Sequence, residues 1–179
     1  MQILTTERLA VRHLEARDAD FLVALLNEPS FLRFIGDRGV RTPVDALRWL
    51  ADGPLTSYAA HGFGLSMVER RDTDESIGIC GLLKRDTLDD VDLGFAYRPA
   101  FWKHGYAIEA GRAMLGYAQR DKALQRVVAI TSLDNDASIR VLTRLGFQFE
   151  RLVRLTEGAE ELRLFGVDLA ATSPSADSP

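Results

Sequence analysis

Two short stretches concentrate the residue types that can do chemistry. In the first, Trp102-Lys103-His104-Gly105-Tyr106-Ala107, a glycine follows Lys103 and His104 where a loop runs into a helix. The first turn of a helix leaves backbone N–H groups without partners at the positive end of the helix dipole, a ready site for a phosphate or pyrophosphate. Gly105 lets the backbone approach an anion closely, and Ala107 keeps the second turn narrow. Lys103 and His104 can add charge-assisted hydrogen bonds of roughly 1.5–3 kcal/mol each. On the residues alone, an ordinary core strand entering a loop with a glycine start reads equally well. In the second stretch, Asn135 is a good helix cap, Gly146 a good helix stop, and Ser138 a hydroxyl in the first turn. A capping or packing serine is the alternative there.

The strand before the first stretch, Asp92-Leu93-Gly94-Phe95-Ala96-Tyr97, places Asp92, Gly94 and Ala96 on one face. Two of these are small, so an extended ligand can lie along the strand and bond its backbone. Asp92 and Glu109 are the carboxylates nearest this chemistry. Asp92 otherwise reads as a surface acid at a strand start. Glu109 otherwise reads as an acid favoured by the helix dipole and paired with Arg112 at i+3.

Other chemistries lack their residues. There is no G-x-G-x-x-G, no G-x-x-x-x-G-K-[ST] and no G-x-S-x-G, which argues against a dinucleotide fold, a P-loop nucleotidase and a serine hydrolase elbow. H-E-x-x-H is absent, and His13, His61 and His104 show no ligand spacing, so no metal is expected. The single cysteine, Cys80, lies in an apolar run and reads as a small core residue. It forms no internal disulfide, which fits a reducing cytoplasm.

The elements that must position these residues follow from periodicity. Leu9, Val11 and His13 alternate in a first strand. Asp18 reads as the cap of a helix carrying Phe21, Leu22, Leu25 and Leu26, and Thr42-Pro43 opens a second with Ala46, Leu47, Trp49 and Leu50. Strands are expected at 63–69, 76–85 and 92–97, a helix at 105–121, a strand at 127–131, a helix at 135–145, and strands at 147–155 and 161–168. The strand–helix–strand stretch favours a parallel pair, the earlier meander antiparallel pairing. The fold class is therefore mixed α/β: one domain over residues 1–169 with a central, twisted, mostly antiparallel sheet of about seven strands and helices on both faces. Residues 170–179, small and rich in Ser and Pro, are expected to be a flexible tail.

The 179 residues suit one domain, and 46% hydrophobic with 27% charged residues reads as globular. A net charge of −4 argues against nucleic acid as a partner. No run of about 18 apolar residues indicates a membrane span, and residues 1–8 lack the pattern of a signal peptide. A cytoplasmic location is the expectation.

Taken together, the two stretches resemble the GNAT N-acetyltransferase superfamily, in particular its ribosomal-protein N-acetyltransferase (Rim) branch. Residues 102–107 resemble its pyrophosphate loop Q/R-x-x-G-x-G/A, and Asn135-x-x-Ser138 with Leu145-Gly146-Phe147 resembles the branch's second cofactor motif. Phe31-Leu32-Arg33-Phe34-Ile35-Gly36 and the helix with Trp49-Leu50 add to the likeness, which spans roughly residues 6 to 169. Trp102, Lys103 and His104 depart from commoner superfamily residues.

The resemblance implies acetyl-CoA as co-substrate and direct attack of a primary amine, a protein N-terminus or a small molecule, on the thioester in a ternary complex. It implies cofactor binding by Phe95, Ala96, Tyr97, Trp102, Lys103, His104, Gly105, Tyr106, Ala107, Asn135 and Ser138. Many members use a tyrosine acid where this chain has Leu142, and the branch suggests Ser138, one turn earlier, as the substitute donor to the departing thiolate. A strand N–H near Ala96 or Tyr97 would take the oxyanion. Glu109 and Asp92 are the candidate bases, beside a water chain. Tyr97 and Tyr106 read as half-packed aromatics walling the cofactor channel, and Phe31, Phe34 and Trp49 as core. Arg33, Arg38 and Arg41 border the acceptor side in this family and are otherwise solvated surface. A homodimer is compatible with the resemblance. The vacancy at Leu142 also leaves open a non-catalytic acyl-CoA-binding or sensing module.

Overall fold

The computed structural model describes residues 1–169, so the expectation for 170–179 lies outside the described residues. The described chain forms one sheet of eight strands: β1 (Gln2–Thr5), β2 (Leu9–His13), β3 (Leu65–Arg70), β4 (Ser76–Leu83), β5 (Asp92–Tyr97), β6 (Arg126–Ser132), β7 (Gln148–Val153) and β8 (Leu162–Asp168). The helices are α1 (Ala19–Leu26), α2 (Pro29–Phe34), α3 (Pro43–Leu50), α4 (Thr56–His61), α5 (Tyr106–Lys122) and α6 (Asp136–Arg144). The spatial order is β1-β2-β3-β4-β5-β6-β8-β7, and of these neighbours only β5 and β6 run parallel. The seven expected strands are present, and β1 is an eighth that no alternation announces. It pairs with β2 through an irregular register, so its side chains keep no clean period.

Both sheet faces are covered. On one, Leu9, Val11, Val68, Ile77, Leu82 and Leu93 pack with Ala110, Met114, Ala118 of α5 and Leu142 of α6. On the other, Met67 and Ile79 pack with Leu22, Leu25, Leu26, Phe31, Ala46 and Leu50 of α1–α3. Cys80 is fully buried, and burial pushes its thiol pKa up to about 12, so it serves as core.

Local signals explain most helix ends. Thr42 Oγ1 accepts from Asp45 N at 3.2 Å, Asp45 returns the bond to Thr42 N at 2.9 Å, and Pro43 occupies the first helical position. Asn135 Oδ1 accepts from Ser138 N at 3.1 Å to cap α6. Gly146, at φ +92°, ends it, with Phe147 N donating to Leu142 O at 3.0 Å. Asp18 departs from its expected role. Its carboxylate does not cap α1 but turns to the sheet, where Oδ2 accepts from Glu15 N at 2.7 Å and both oxygens take the Arg12 guanidinium at 2.8 and 2.7 Å. A buried arginine outcompetes the helix end for the carboxylate, because Arg12 needs Asp18 and Glu69, together with the His13 carbonyl, to replace its lost water.

Removing one member of a buried ion cluster strands the other charge, so Asp18→Ala is expected to lower stability at pH 7 by about 3 kcal/mol, measured by denaturant unfolding. Burial alone would raise the Asp18 pKa, but the hydrogen bonds from Arg12 and Glu15 outweigh it and hold the carboxyl below its ordinary value. A carboxyl depressed in the fold contributes stability above its unfolded pKa and loses it as pH falls through the folded value. The wild type should therefore weaken below about pH 4, and the variant should show a shallower acid loss. A penalty under about 1 kcal/mol at pH 7 would show the cluster to be dispensable.

Candidate active site

The two parallel strands part almost as soon as they meet. β5 and β6 share one registered pair, Asp92 with Val128, and Val128 N donates to Val91 O at 2.9 Å. Beyond that point the strands separate, and a cavity of about 670 Å³ opens between and beside them. It is lined by Leu93–Ala96 of β5, Ala129–Ser132 of β6, Asn135, Ser138 and Leu142 of the α6 region, and Phe31, Phe34 and Trp49 of the helical face.

The separation leaves one edge of β5 open. Arg98 N donates to Ile77 O at 3.0 Å, and β4 pairs Ile79 with Ala96 and Gly81 with Gly94. Antiparallel alternation then turns the N–H groups of Gly94 and Ala96 toward β4, and those of Leu93, Phe95 and Tyr97 toward the parting. Of the two N–H positions named from sequence, the pairing leaves Tyr97 on the open edge and engages Ala96 in the ladder; Phe95 joins Tyr97 there. The Tyr97 side chain is not a channel wall. It is 7% exposed and lies in the core, where burial raises its pKa well above the ordinary tyrosine value. Only its backbone faces the cavity side, and its carbonyl accepts from Trp102 Nε1 at 2.8 Å. Gly94 offers less room than its missing side chain suggests, since a Cβ there would meet Leu83 Cδ1 at 2.7 Å.

The loop after β5 is the second half of the site. Lys103 (φ +64°) and Gly105 (φ +82°) both adopt the left-handed conformation. Such a turn brings successive N–H groups to one side. Among the described residues no acceptor takes the backbone N–H of Lys103, His104, Gly105, Tyr106 or Ala107, whereas Ile108 and Glu109 N donate to Gly105 O. Five free amides at the start of a 17-residue helix suit a linked pair of phosphates. Lys103 stands where the superfamily commonly has glycine, and its left-handed φ gives the reason for that preference.

Glu109 is engaged on both carboxylate oxygens. Thr6 Oγ1 donates to its Oε1 at 2.5 Å, Arg8 N to the same oxygen at 2.9 Å, and Arg8 Nε to Oε2 at 2.6 Å. Its ion partner is thus Arg8, from the turn between β1 and β2, in place of the expected Arg112. Burial alone would raise the Glu109 pKa, but these bonds outweigh it and keep the carboxylate below its ordinary value. Arg8 continues to the loop. Nη1 donates to His104 O at 3.0 Å, the guanidinium lies 4.7 Å from the Tyr106 ring centroid, and Nη2 is 3.4 Å from where a Gly105 Cβ would stand. His104 stacks on Tyr106 from the loop side, 5.7 Å between centroids. Thr6 and Arg8 are site residues that sequence reading missed. About a hundred positions separate them from Glu109, and no local pattern announces the pairing.

Asp92 stands at the apex of the parting. It is 1% exposed yet lines the cavity, and Arg85 Nε donates to its Oδ1 at 3.0 Å. Burial raises its pKa, and Arg85 only partly offsets this. A carboxyl raised by burial in a cavity is a candidate proton acceptor. Across the parting, Ser138 lines the cavity, and among the described residues its Oγ has no hydrogen-bond partner. Leu142, one turn on, is fully buried. Phe31 is core, as expected, whereas Phe34 and Trp49 are half-buried in the cavity wall. Arg33 pairs with Asp134 at 2.8 Å and Arg41 with Asp37 at 2.5 Å; of the three arginines on this side, Arg38 lines the cavity.

Two replacements separate the parts of the loop. Gly105→Val puts a β-branched residue at φ +82° and presses it on Arg8, so coenzyme A affinity in calorimetry should fall by at least tenfold. Glu109→Gln should weaken coenzyme A binding and lower the melting temperature together, because it loosens Arg8 and the loop. Coenzyme A affinity unchanged in both variants would remove the loop from the binding site.

Comparison with known proteins identifies the family. The sequence profile of the acetyltransferase (GNAT) domain matches residues 8–148. The chain is 30% identical to the uncharacterized N-acetyltransferase p20 of Bacillus licheniformis over 164 residues, covering 89% of this chain and 90% of that one. Its fold is similar to that of RimL, a ribosomal L7/L12 alpha-N-protein acetyltransferase solved with coenzyme A (TM-score 0.81, 15% identity, 94% of this chain and 98% of that one). It is also similar to the ribosomal-protein-S5-alanine acetyltransferase of Vibrio fischeri (TM-score 0.71, 19% identity, 97% and 100%). The chain belongs to the GNAT acetyltransferase family.

Proposed function

We propose that this acetyltransferase moves the acetyl group of acetyl-CoA onto a primary amine, with donor and acceptor bound together in the cavity at the β5–β6 parting. The observation that carries the reading is that five unpaired loop amides follow in the chain directly on a strand whose far edge is open. The loop amides of residues 103–107 bind the pyrophosphate. The free edge of β5 bonds the pantetheine arm as an added strand would. The bound thioester supplies an activated acyl carbon, whose C–S bond is exchanged for a C–N bond.

The chain's own groups then have separable tasks. The N–H of Phe95 or Tyr97 faces the carbonyl oxygen as negative charge develops there. The Asp92 carboxylate takes the proton that the acceptor ammonium must lose before its nitrogen can attack, directly or through a water. Ser138 Oγ–H donates to the departing thiolate sulfur, which acquires its proton as the new amide nitrogen loses one. Glu109 is held by Thr6 and Arg8 and positions the loop.

A thiol-release assay over a panel of amines tests the activity. Tight coenzyme A binding with no turnover of any amine would favour the sensing module instead. Asp92→Asn should lower kcat by about 10²–10⁴-fold while leaving the coenzyme A dissociation constant within about twofold. Ser138→Ala should lower kcat more than donor affinity. An unchanged turnover number in either variant would return that residue to a structural role.

A further inference from the structure

The cavity sets Arg38, Lys84 and Arg85 against Asp52, Asp86 and Asp92 in its lining, but these charges are not all paired with one another. Arg38 and Arg85 both line it, beside the aromatic wall of Phe31, Phe34 and Trp49. Their neighbours Arg33 and Arg41 are each neutralised by an aspartate, and Arg85 by Asp92. Arg38 is not. Its Nη2 donates to Ile35 O at a long 3.4 Å, and among the described residues it forms no ion pair. Asp52 and Asp86 also line the cavity, and neither pairs with it. Packing around the Arg38 guanidinium and the charge of Arg85 both lower its pKa, so the two cations stand close enough to repel. Two guanidiniums lining one cavity, of which only Arg85 is held by a carboxylate, form a fork that an anionic group would complete.

We propose that Arg38 and Arg85 form an anion subsite, and that the acceptor is an amine with a carboxylate next to its nitrogen: an α-amino acid with an apolar or aromatic side chain. The inference rests on the acetyl-transfer reading above. The spacing follows from the Arg85–Asp92 bond. The two groups are joined at 3.0 Å, so a ligand that gives its ammonium to Asp92 brings an adjacent carboxylate to Arg85 and, beside it, to Arg38. The apolar side chain then lies against Phe34 and Trp49. A polyamine has nothing for the guanidiniums and is repelled by them. A protein N-terminus has an amide where the carboxylate should be, and loses the charge-assisted bonds.

The test compares amines that differ only at the carboxylate. Thiol release is measured with phenylalanine, tryptophan, leucine and methionine, each against its own amide, and with 2-phenylethylamine and spermidine. The expected result is a kcat/KM for the best amino acid about ten- to a hundredfold above its amide, the range that charge-assisted hydrogen bonds supply. In Arg38→Gln that ratio should collapse toward one, and in Arg38→Lys it should partly return. Equal rates for acid and amide, or a preference that survives Arg38→Gln, would overturn the subsite while leaving acetyl transfer standing. Coenzyme A binding without thiol release from any amine would overturn acetyl transfer, and the subsite with it.

Discussion

One backbone constraint organises the molecule: β5 and β6 are bonded at the Asp92–Val128 position and then diverge. A strand edge facing a cavity leaves N–H groups without partners, and such groups are stable only when water or a ligand meets them. The rest of the sheet is arranged to tolerate the split. β5 is held on its other side by six registered pairs to β4, and β6 by seven to β8, so each half is stiff where the two part. The ligand edge can therefore be unsatisfied without fraying. α5 follows β5 through the loop of residues 98–105 and leads to β6, so it connects the two halves.

The loop at that mouth is strained on its own. Lys103 in a left-handed conformation costs about 1–2 kcal/mol, and five unbonded amides add no stability until an anion arrives. Something must hold it, and the holding groups come from far away in sequence. Glu109 collects Thr6 and Arg8; Arg8 grips the His104 carbonyl and covers Tyr106; Trp102 reaches back to the Tyr97 carbonyl. The negative charge of Glu109, which on a bare helix start would compete with a phosphate, is neutralised by Arg8. The loop keeps its positive field while the first two strands serve as its anchor.

How much of this is legible in one sequence depends on whether a feature is local. Gly105, Asn135, Thr42-Pro43 and Gly146 act within a turn of themselves, and their roles as cap or stop can be read directly. The seven alternating or apolar strands follow from period, and β5 is placed to the residue. Asp18 misleads because its local capping role competes with a buried arginine six positions away. The side chain of Tyr97 misleads because alternation gives its face but not which face holds the core. The Arg8–Glu109 pair leaves no local trace, and the paired Arg33 and Arg41 look no different from Arg38 until the acids that neutralise them are placed in space.

The same logic separates the two carboxylates that sequence alone could not rank. A base must be able to gain a proton and must face the substrate. Glu109 receives three hydrogen bonds from Thr6 and Arg8, which favour its charged form and occupy both oxygens. Asp92 has one donor in Arg85 and is otherwise desolvated, and its pKa moves the other way. The two acids shift in opposite directions: hydrogen bonds hold Glu109 in its charged form beside the loop, whereas burial disfavours the charge of Asp92 at the apex where the strands diverge. The guanidinium that limits the Asp92 shift also lines the cavity. Its charge therefore bears on how readily Asp92 takes a proton as well as on what can lie beside it.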